Sequence, residues 1–155
     1  MQDVSIRRMA YEDISACVEI VVATPLWQRY GVTSQTAKER FEAGLHNQAI
    51  LYVADAGSHK ILGFVWVVMR GAFDLSGYIR WIGVSAEYQG GGIGRQLLAA
   101  AENYIRQTAR DVFLLCSDFN VDAQRFYIRQ GYVQVGSLPD YVLPGIGELI
   151  FRKRL

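Results

Sequence analysis

Apolar and polar residues alternate from Val4 to Arg8, the pattern of a strand with one buried face. From Tyr11 to Ala23 the period changes. Ile14, Cys17, Val18, Val21 and Val22 fall three or four apart, which predicts a helix that Pro25 stops. Thr33 or Ser34 is placed to cap a second helix running through Phe41 and Leu45. Ala49 to Asp55 and Ile61 to Arg70 read as strands, and Ala56-Gly57-Ser58-His59 between them is a hairpin signal. Tyr78 to Val84 is a third strand of this group. A glycine cluster follows, then a long helix from about Ile93 to Gln107 with Ile93, Leu97, Leu98, Ala101, Tyr104 and Ile105 as its apolar stripe. Val112 to Cys116 is a short buried strand. Asp122 to Gln130 is a helix that Gly131 ends as a C-cap, and Tyr132 to Ser137 and Glu148 to Lys153 are two closing strands.

The predicted order is β-α-α-β-β-β-α-β-α-β-β. An antiparallel meander fills the first half. The β-α-β around the glycines forces one parallel pair. The fold class is α/β (α+β): one domain over residues 1–155, with a mixed, mostly antiparallel, twisted sheet of about six or seven strands and about four helices on both faces.

Composition narrows the function. Hydrophobic residues are 51% and charged residues 20% of 155, enough for a full core, and disorder is excluded. A formal net charge of +1 advertises neither a nucleic acid nor a membrane surface. The longest apolar stretch, Ile61 to Met69, is far short of the ~20 residues that span a bilayer, and no targeting segment is apparent. Cys17 and Cys116 lack metal-ligand spacing and read as reduced, buried small hydrophobes. No metal is expected, and the reading is of a cytoplasmic protein.

The strongest local signal is Gln89-Gly90-Gly91-Gly92-Ile93-Gly94, between a strand and a helix. Glycines bring bare N–H groups close to a ligand, and the first helical turn adds unpaired donors and a positive dipole end. Together these suit a phosphate or pyrophosphate. A Walker loop would end in Gly-Lys-Ser/Thr, whereas Arg95-Gln96 follows Gly94 here. A dinucleotide fingerprint would read Gly-x-Gly-x-x-Gly with an acid about 20 residues on; Gly90 to Gly94 reads Gly-x-Gly-x-Gly instead, and Asp111 comes too early in the next strand. A turn without a ligand would not carry four glycines in five residues, because each costs conformational entropy.

The segment from Ile82-Gly83-Val84 through Gln89, Gly92 and Gly94 to Leu98 resembles the acyl-CoA signature of the GNAT (GCN5-related N-acetyltransferase) family. Asn120-Val121-Asp122-Ala123-Gln124-Arg125-Phe126-Tyr127, followed by Gly131-Tyr132, resembles the family's second motif. Both motifs occur in order and at the family's spacing, and the element order fits from Val4 to Leu155.

The resemblance implies acetyl-CoA as cofactor and transfer of its acetyl group to a primary amine. It implies that Gln89, Gly90, Gly91, Gly92, Ile93, Gly94 and Arg95 cradle the pyrophosphate, and that the strand ending at Val84 splays from its neighbour. Ile82 and Val84, around Gly83, would then bond the pantetheine amides. The Val84 N–H would hold the developing oxyanion, a donor worth ~3 kcal/mol of barrier. Asn120, Ala123 and Phe126 would contact CoA, although Asn120 also reads as a plain helix cap. Tyr127 would be the general acid for the leaving thiolate. On spacing alone it reads instead as a core aromatic beside Phe126.

The general base is not carried over. The histone-acetyltransferase branch has a glutamate on the strand before the glycine loop, and the matching position here is Tyr78. Asp118, Asp140, Tyr141 and Glu148 are candidates, and so is a water chain. The acceptor pocket is expected from Trp27, Gln28, Arg29 and Tyr30 on one side and Tyr141 on the other, with Trp27 and Tyr30 alternatively covering the core edge. A small-molecule or peptide amine is the expected partner, and a homodimer is compatible with the family. Two further readings stay open. One is a non-catalytic acyl-CoA-binding module, which the missing strand glutamate favours and Tyr127 disfavours. The other is acetylation of a protein amine.

Overall fold

The computed structural model describes residues 3–155. They form β1 (Ser5–Arg8), α1 (Ile14–Ala23), α2 (Pro25–Arg29), α3 (Ser34–His46), β2 (Ile50–Asp55), β3 (Ile61–Ala72), β4 (Ser76–Val84), α4 (Ile93–Arg106), β5 (Asp111–Ser117), α5 (Val121–Arg129), β6 (Val133–Leu138) and β7 (Glu148–Arg154), with 3-10 turns at Tyr11–Asp13 and Ala86–Tyr88. The strand order is β1-β2-β3-β4-β5-β7-β6. The pairings β1–β2, β2–β3, β5–β7 and β6–β7 are antiparallel, and β4–β5 is parallel. The expected mixed sheet is therefore present with seven strands.

One difference from the expected elements has a clear cause. Pro25 does not simply end a helix; it begins the five-residue α2, with Thr24 as its extended N-cap. Proline at the first helical position loses no bond, because that N–H has no intrahelical partner, and its φ is already helical. Thr33 caps α3 as expected, accepting from the Thr36 N–H at 3.2 Å.

Two compact units are distinguished: residues up to 67 with 81–101, and residues 68–80 with 102–155. In the first, Asp13 is 1% exposed and its carboxylate takes three bonds: Arg7 Nη1 at 2.7 Å, Arg7 Nη2 at 2.9 Å and the Ala10 N–H at 2.8 Å. Arg7 Nε also reaches Asp55 at 2.9 Å, so β1, the start of α1 and β2 are tied together. Burial alone would raise the Asp13 carboxyl. The Arg7 bonds and the Ala10 N–H outweigh it, and the group is held below the usual carboxylate value.

The core of this unit is aromatic. Phe41 meets Phe64 edge-on at 5.1 Å and Trp81 at 5.6 Å, while Trp27 lies 6.0 Å from Phe64 and 5.7 Å from Trp81. Such pairs add about 0.5–1.5 kcal/mol each beyond the area they bury. The two faces of β3 are read from adjacent residues. Phe64 faces α2 and α3, whereas a Cβ on Gly63 would meet Leu97 of α4 at 3.0 Å and the Gly83 carbonyl at 2.7 Å. Gly63 is thus required by close backbone approach.

In the second unit, β5 pairs with β7 over seven residues, from Asp111↔Arg154 to Ser117↔Glu148. Val112, Leu114 and Cys116 share one face of β5, and their partners Lys153, Phe151 and Leu149 share it on β7. Tyr127 of α5 packs there at 6.0 Å from Phe151, and Lys153 Nζ bonds Glu102 of α4 at 2.9 Å. Tyr132 donates its hydroxyl to the same buried Glu102 carboxylate at 3.0 Å. The opposite face carries Phe113, Leu115 and Ser117 of β5 with Arg152, Ile150 and Glu148 of β7. Tyr78, paired with Phe113, joins it from β4.

Candidate active site

In the first unit the site is built on the end of β4 and the start of α4. There a Cβ on Gly83 would meet Trp27 at 2.8 Å and Phe64 at 2.9 Å. The parallel ladder with β5 covers Gly77, Tyr78 and Ile79, and β4 continues to Val84. After Val84, Ser85 donates its N–H back to the Leu62 carbonyl at 2.9 Å, and Gln89 Nε2 donates to the Val84 carbonyl at 3.2 Å. These bonds hold the loop entrance to the strand end.

The glycine loop has the geometry of an anion cradle. Gly90 and Gly92 adopt φ of 81° and 87°, which disfavours any side chain, and no protein atom lies within 4 Å of where a Cβ would stand at either. The first helical bond of α4 runs from the Gln96 N–H to the Gly92 carbonyl at 3.1 Å, so the N–H groups of Ile93, Gly94 and Arg95 precede the ladder. Bare backbone, open space and a helix N-terminus coincide, and these residues fit the pyrophosphate of CoA. Lys60, from the β2–β3 turn, stands 5.0 Å over the ring of Tyr88 beside this loop. Its closeness to the Tyr88 phenol raises its pKa. The sequence offered only a turn lysine there.

Trp27 is 9% exposed and packed on Phe64, Trp81 and the Gly83 backbone, so its indole shapes β4 from behind. Arg29 is exposed and Tyr30 half-buried at the end of α2, where they have partners of their own. Ile82 and Val84 are half-buried and Gly83 is buried.

In the second unit Asn120 caps α5, its Oδ1 accepting from the Ala123 N–H at 3.3 Å. Ala123 and Phe126 are half-buried. Tyr127 is 8% exposed, with its ring against Phe126, Tyr132 and Phe151. Every fully buried side-chain nitrogen or oxygen among the described residues has a hydrogen-bond partner. Burial first, and the nearby Cys116 second, push this phenol above its usual value, so it stays protonated.

The four base candidates separate by environment. Asp118 Oδ2 accepts from the Gly147 N–H at 2.8 Å and Asp140 Oδ1 from the Gly145 N–H at 2.6 Å. Both carboxylates clamp the 139–147 loop around a cleft of about 300 Å³ that Ser137, Pro139, Ile146 and Leu149 also line. Tyr141 is 61% exposed on that loop. Glu148 is 5% exposed. Its charge, with that of Tyr141, raises the half-buried Tyr78 phenol after burial has done most of it, while Arg80 acts the other way. The Cys116 thiol is pushed up to about 12 by burial and by Glu148. Arg80, two residues after Tyr78, had been passed over, although the i, i+2 spacing on a strand was the available signal. Cys17 and Cys116 are free and buried, and no metal-binding cluster of His, Cys, Asp or Glu is formed among the described residues. Among them, no helix is long and apolar enough to cross a membrane.

Residues 47–134, which hold β2 to the start of β6, match the family described as Acetyltransferase (GNAT) domain. The chain belongs to the GNAT acetyltransferase family, whose cofactor is acetyl-CoA. It is 34% identical over 77 residues to a mycothiol acetyltransferase of Actinosynnema mirum, a match covering 49% of this chain and 25% of that protein. The match thus spans about a quarter of the length of that curated relative. Among solved structures, a GNAT-family protein from Desulfovibrio desulfuricans superposes with a TM-score of 0.81 at 22% identity, covering 98% of this chain and 99% of the other. A Salmonella typhimurium structure that holds its cofactor acetyl-CoA superposes with a TM-score of 0.75 at 19% identity, covering 98% and 94%.

Proposed function

We propose that residues 1–155 act as one N-acetyltransferase domain that moves the acetyl group of acetyl-CoA to a primary amine by direct attack on the thioester. The observation that carries this reading is the cradle: two left-handed glycines with open space above them at the start of α4. Gln89 to Arg95 hold the pyrophosphate through backbone N–H groups. Backbone groups of Ile82 and Val84, beyond the end of the β4–β5 ladder, take the pantetheine amides. The Val84 N–H holds the thioester oxygen as charge develops on it. Asn120, Ala123 and Phe126 line the cofactor. Acetyl-CoA supplies the activated acyl group; the chain supplies position, a dry strand end and the protons.

Tyr127 delivers a proton to the departing sulfur. Its hydroxyl stays protonated and its ring is packed among Phe126, Tyr132 and Phe151, so it is presented without freedom to swing. Arg29, Tyr30, Tyr78 and Tyr141 contact the acceptor, a small-molecule or peptide amine. Trp27 fixes β4 at Gly83. Two free buried thiols suit a reducing compartment, and the cytoplasm is the proposed location.

Calorimetric titration tests the cofactor half of this reading. Acetyl-CoA binds and raises thermal stability; absence of binding at millimolar CoA overturns it. Thiol release from acetyl-CoA against a panel of amines, amino acids and peptides tests the transfer half.

A further inference from the structure

Resting on the N-acetyltransferase reading above, we infer that Arg40 binds the acceptor, and that the acceptor is a primary amine that also carries a carboxylate. The parallel ladder of β4 ends at Ile79, and the strand runs on to Val84. Trp81 stands in that last stretch, directly before Ile82. Its half-buried ring packs on four others of the same unit: Phe41 at 5.6 Å, Trp27 at 5.7 Å, Trp66 at 6.3 Å and Phe64 at 6.4 Å. Arg40 of α3 lies over this fixed ring, with its guanidinium carbon 5.3 Å from the centroid.

The cation is held by an aromatic face and by no acid. Arg40 is exposed, and it makes no ion pair with any described residue. The acids of its own helix are engaged elsewhere. Glu39 accepts from Gln35 Nε2 at 2.6 Å, and Glu42 accepts from the Tyr11 hydroxyl at 3.0 Å and faces Lys38 at 3.8 Å. The positions three and four residues from Arg40, where a helix would supply a partner, are Thr36, Ala37, Ala43 and Gly44. Stacking uses the face of a guanidinium and leaves its N–H donors pointing outward in the plane. The ring therefore fixes a charged fork before any ligand arrives, which lowers the ordering cost of binding.

A planar fork matches the two oxygens of a carboxylate. Its place along the chain assigns that carboxylate to the acceptor rather than to the cofactor. The cradle for the CoA phosphates follows Val84, at Gln89 to Arg95. Trp81 precedes Val84 by three residues, about 10 Å of strand. The two anion sites thus lie on opposite sides of the thioester position, and an anion at Arg40 approaches from the acyl end. An acceptor with its carboxylate on Arg40 keeps its amine free for the thioester at Val84. Arg40 holds that acceptor in place and takes no part in the proton transfers.

The test uses matched amines with and without a carboxylate: β-alanine and ethylamine, 4-aminobutyrate and propylamine, phenylalanine and phenethylamine. Thiol release from acetyl-CoA is followed for wild type and Arg40→Gln. In wild type, at least one amino acid is expected to exceed its matched amine by about tenfold or more in kcat/KM, the worth of a charge-assisted hydrogen bond. Arg40→Gln then loses about tenfold for that amino acid, mostly in KM, and stays within about twofold for the matched amine. The acetyl-CoA Kd is unchanged. Amines used as well as amino acids in all three pairs, or a variant that loses both members of a pair alike, overturns the proposal. If Arg40→Gln does not fold, Arg40→Lys carries the test, since it keeps the charge and loses the fork. A loss confined to the amino acid supports the proposal, and an equal loss for both members overturns it. Wild type that binds acetyl-CoA but acetylates none of the six compounds contradicts the transferase reading instead. Arg40 is then tested by calorimetric titration of the three amino acids into the CoA-loaded protein. Binding of one of them that is about tenfold weaker in Arg40→Gln supports the site; equal binding, or no binding to wild type, overturns it.

Discussion

The indole of Trp27 occupies the space that a side chain on Gly83 would need, with Cη2 2.8 Å from the ideal Cβ position. Phe64 closes the same space at 2.9 Å. Both rings are fixed in the aromatic core, so neither yields cheaply. Gly83→Ala is expected to destabilise by about 1–3 kcal/mol through overpacking, read by denaturant unfolding. Because Gly83 lies between Ile82 and Val84, the variant also weakens acetyl-CoA binding. Trp27→Leu together with Gly83→Ala should recover part of the stability, and failure to recover would place the strain elsewhere.

Gly92→Val is expected to abolish acetyl-CoA binding. Its φ of 87° is unfavourable for a β-branched residue, and the space above it is where the ligand's phosphates approach. The fold itself survives with a loss of about 1–3 kcal/mol, since no protein atom is displaced. Normal CoA affinity in a folded Gly92→Val protein would move the cradle away from this loop.

Asp13 sets a pH dependence of stability. Burial pushes its carboxyl up, but the Arg7 bonds and the Ala10 N–H win, and the folded pKa lies below the unfolded value of about 3.9. A depressed acid contributes stability that is full above the unfolded pKa and is lost as pH falls through the folded one. Asp13→Asn is therefore destabilised at pH 7, and the gap to wild type narrows below about pH 4. Urea midpoints measured at pH 7 and pH 3 check this; a gap that widens in acid contradicts it.

The Tyr127 phenol, raised by burial and then by Cys116, remains protonated beyond the usual tyrosine range. The alkaline side of the pH–rate profile should therefore show no decline from this residue up to about pH 10. A fall centred well below that, and absent in Tyr127→Phe, would mean that the phenol ionises earlier than its surroundings dictate.

Much of the fold was legible because its signals are local. The glycine loop, the Asn120 cap and the helix stripe from Ile93 to Ile105 each depend on near neighbours in sequence. The parallel β4–β5 pair followed from the crossover rule. Helix α2 was missed because Pro25 has two meanings, a stop for the helix before it and a first position for the one after it. Trp27 was ambiguous for a different reason: the room for its ring is left by Gly83, fifty-six residues away, and a glycine in a strand does not announce its neighbour. The separation of Glu148 from Asp118 and Asp140 depends on strand register and on two loop N–H groups, neither of which can be read along the chain.

The most direct measurement is amine-dependent thiol release from acetyl-CoA by wild type and Tyr127→Phe, with acetyl-CoA affinity taken in parallel. The substitution removes only the hydroxyl, and the ring contacts with Phe126, Tyr132 and Phe151 persist. The account predicts a folded variant with wild-type acetyl-CoA affinity and a kcat lower by about 100-fold, with little change in KM because the proton is needed only as sulfur leaves. Equal turnover by the two proteins would contradict it and return Tyr127 to the core.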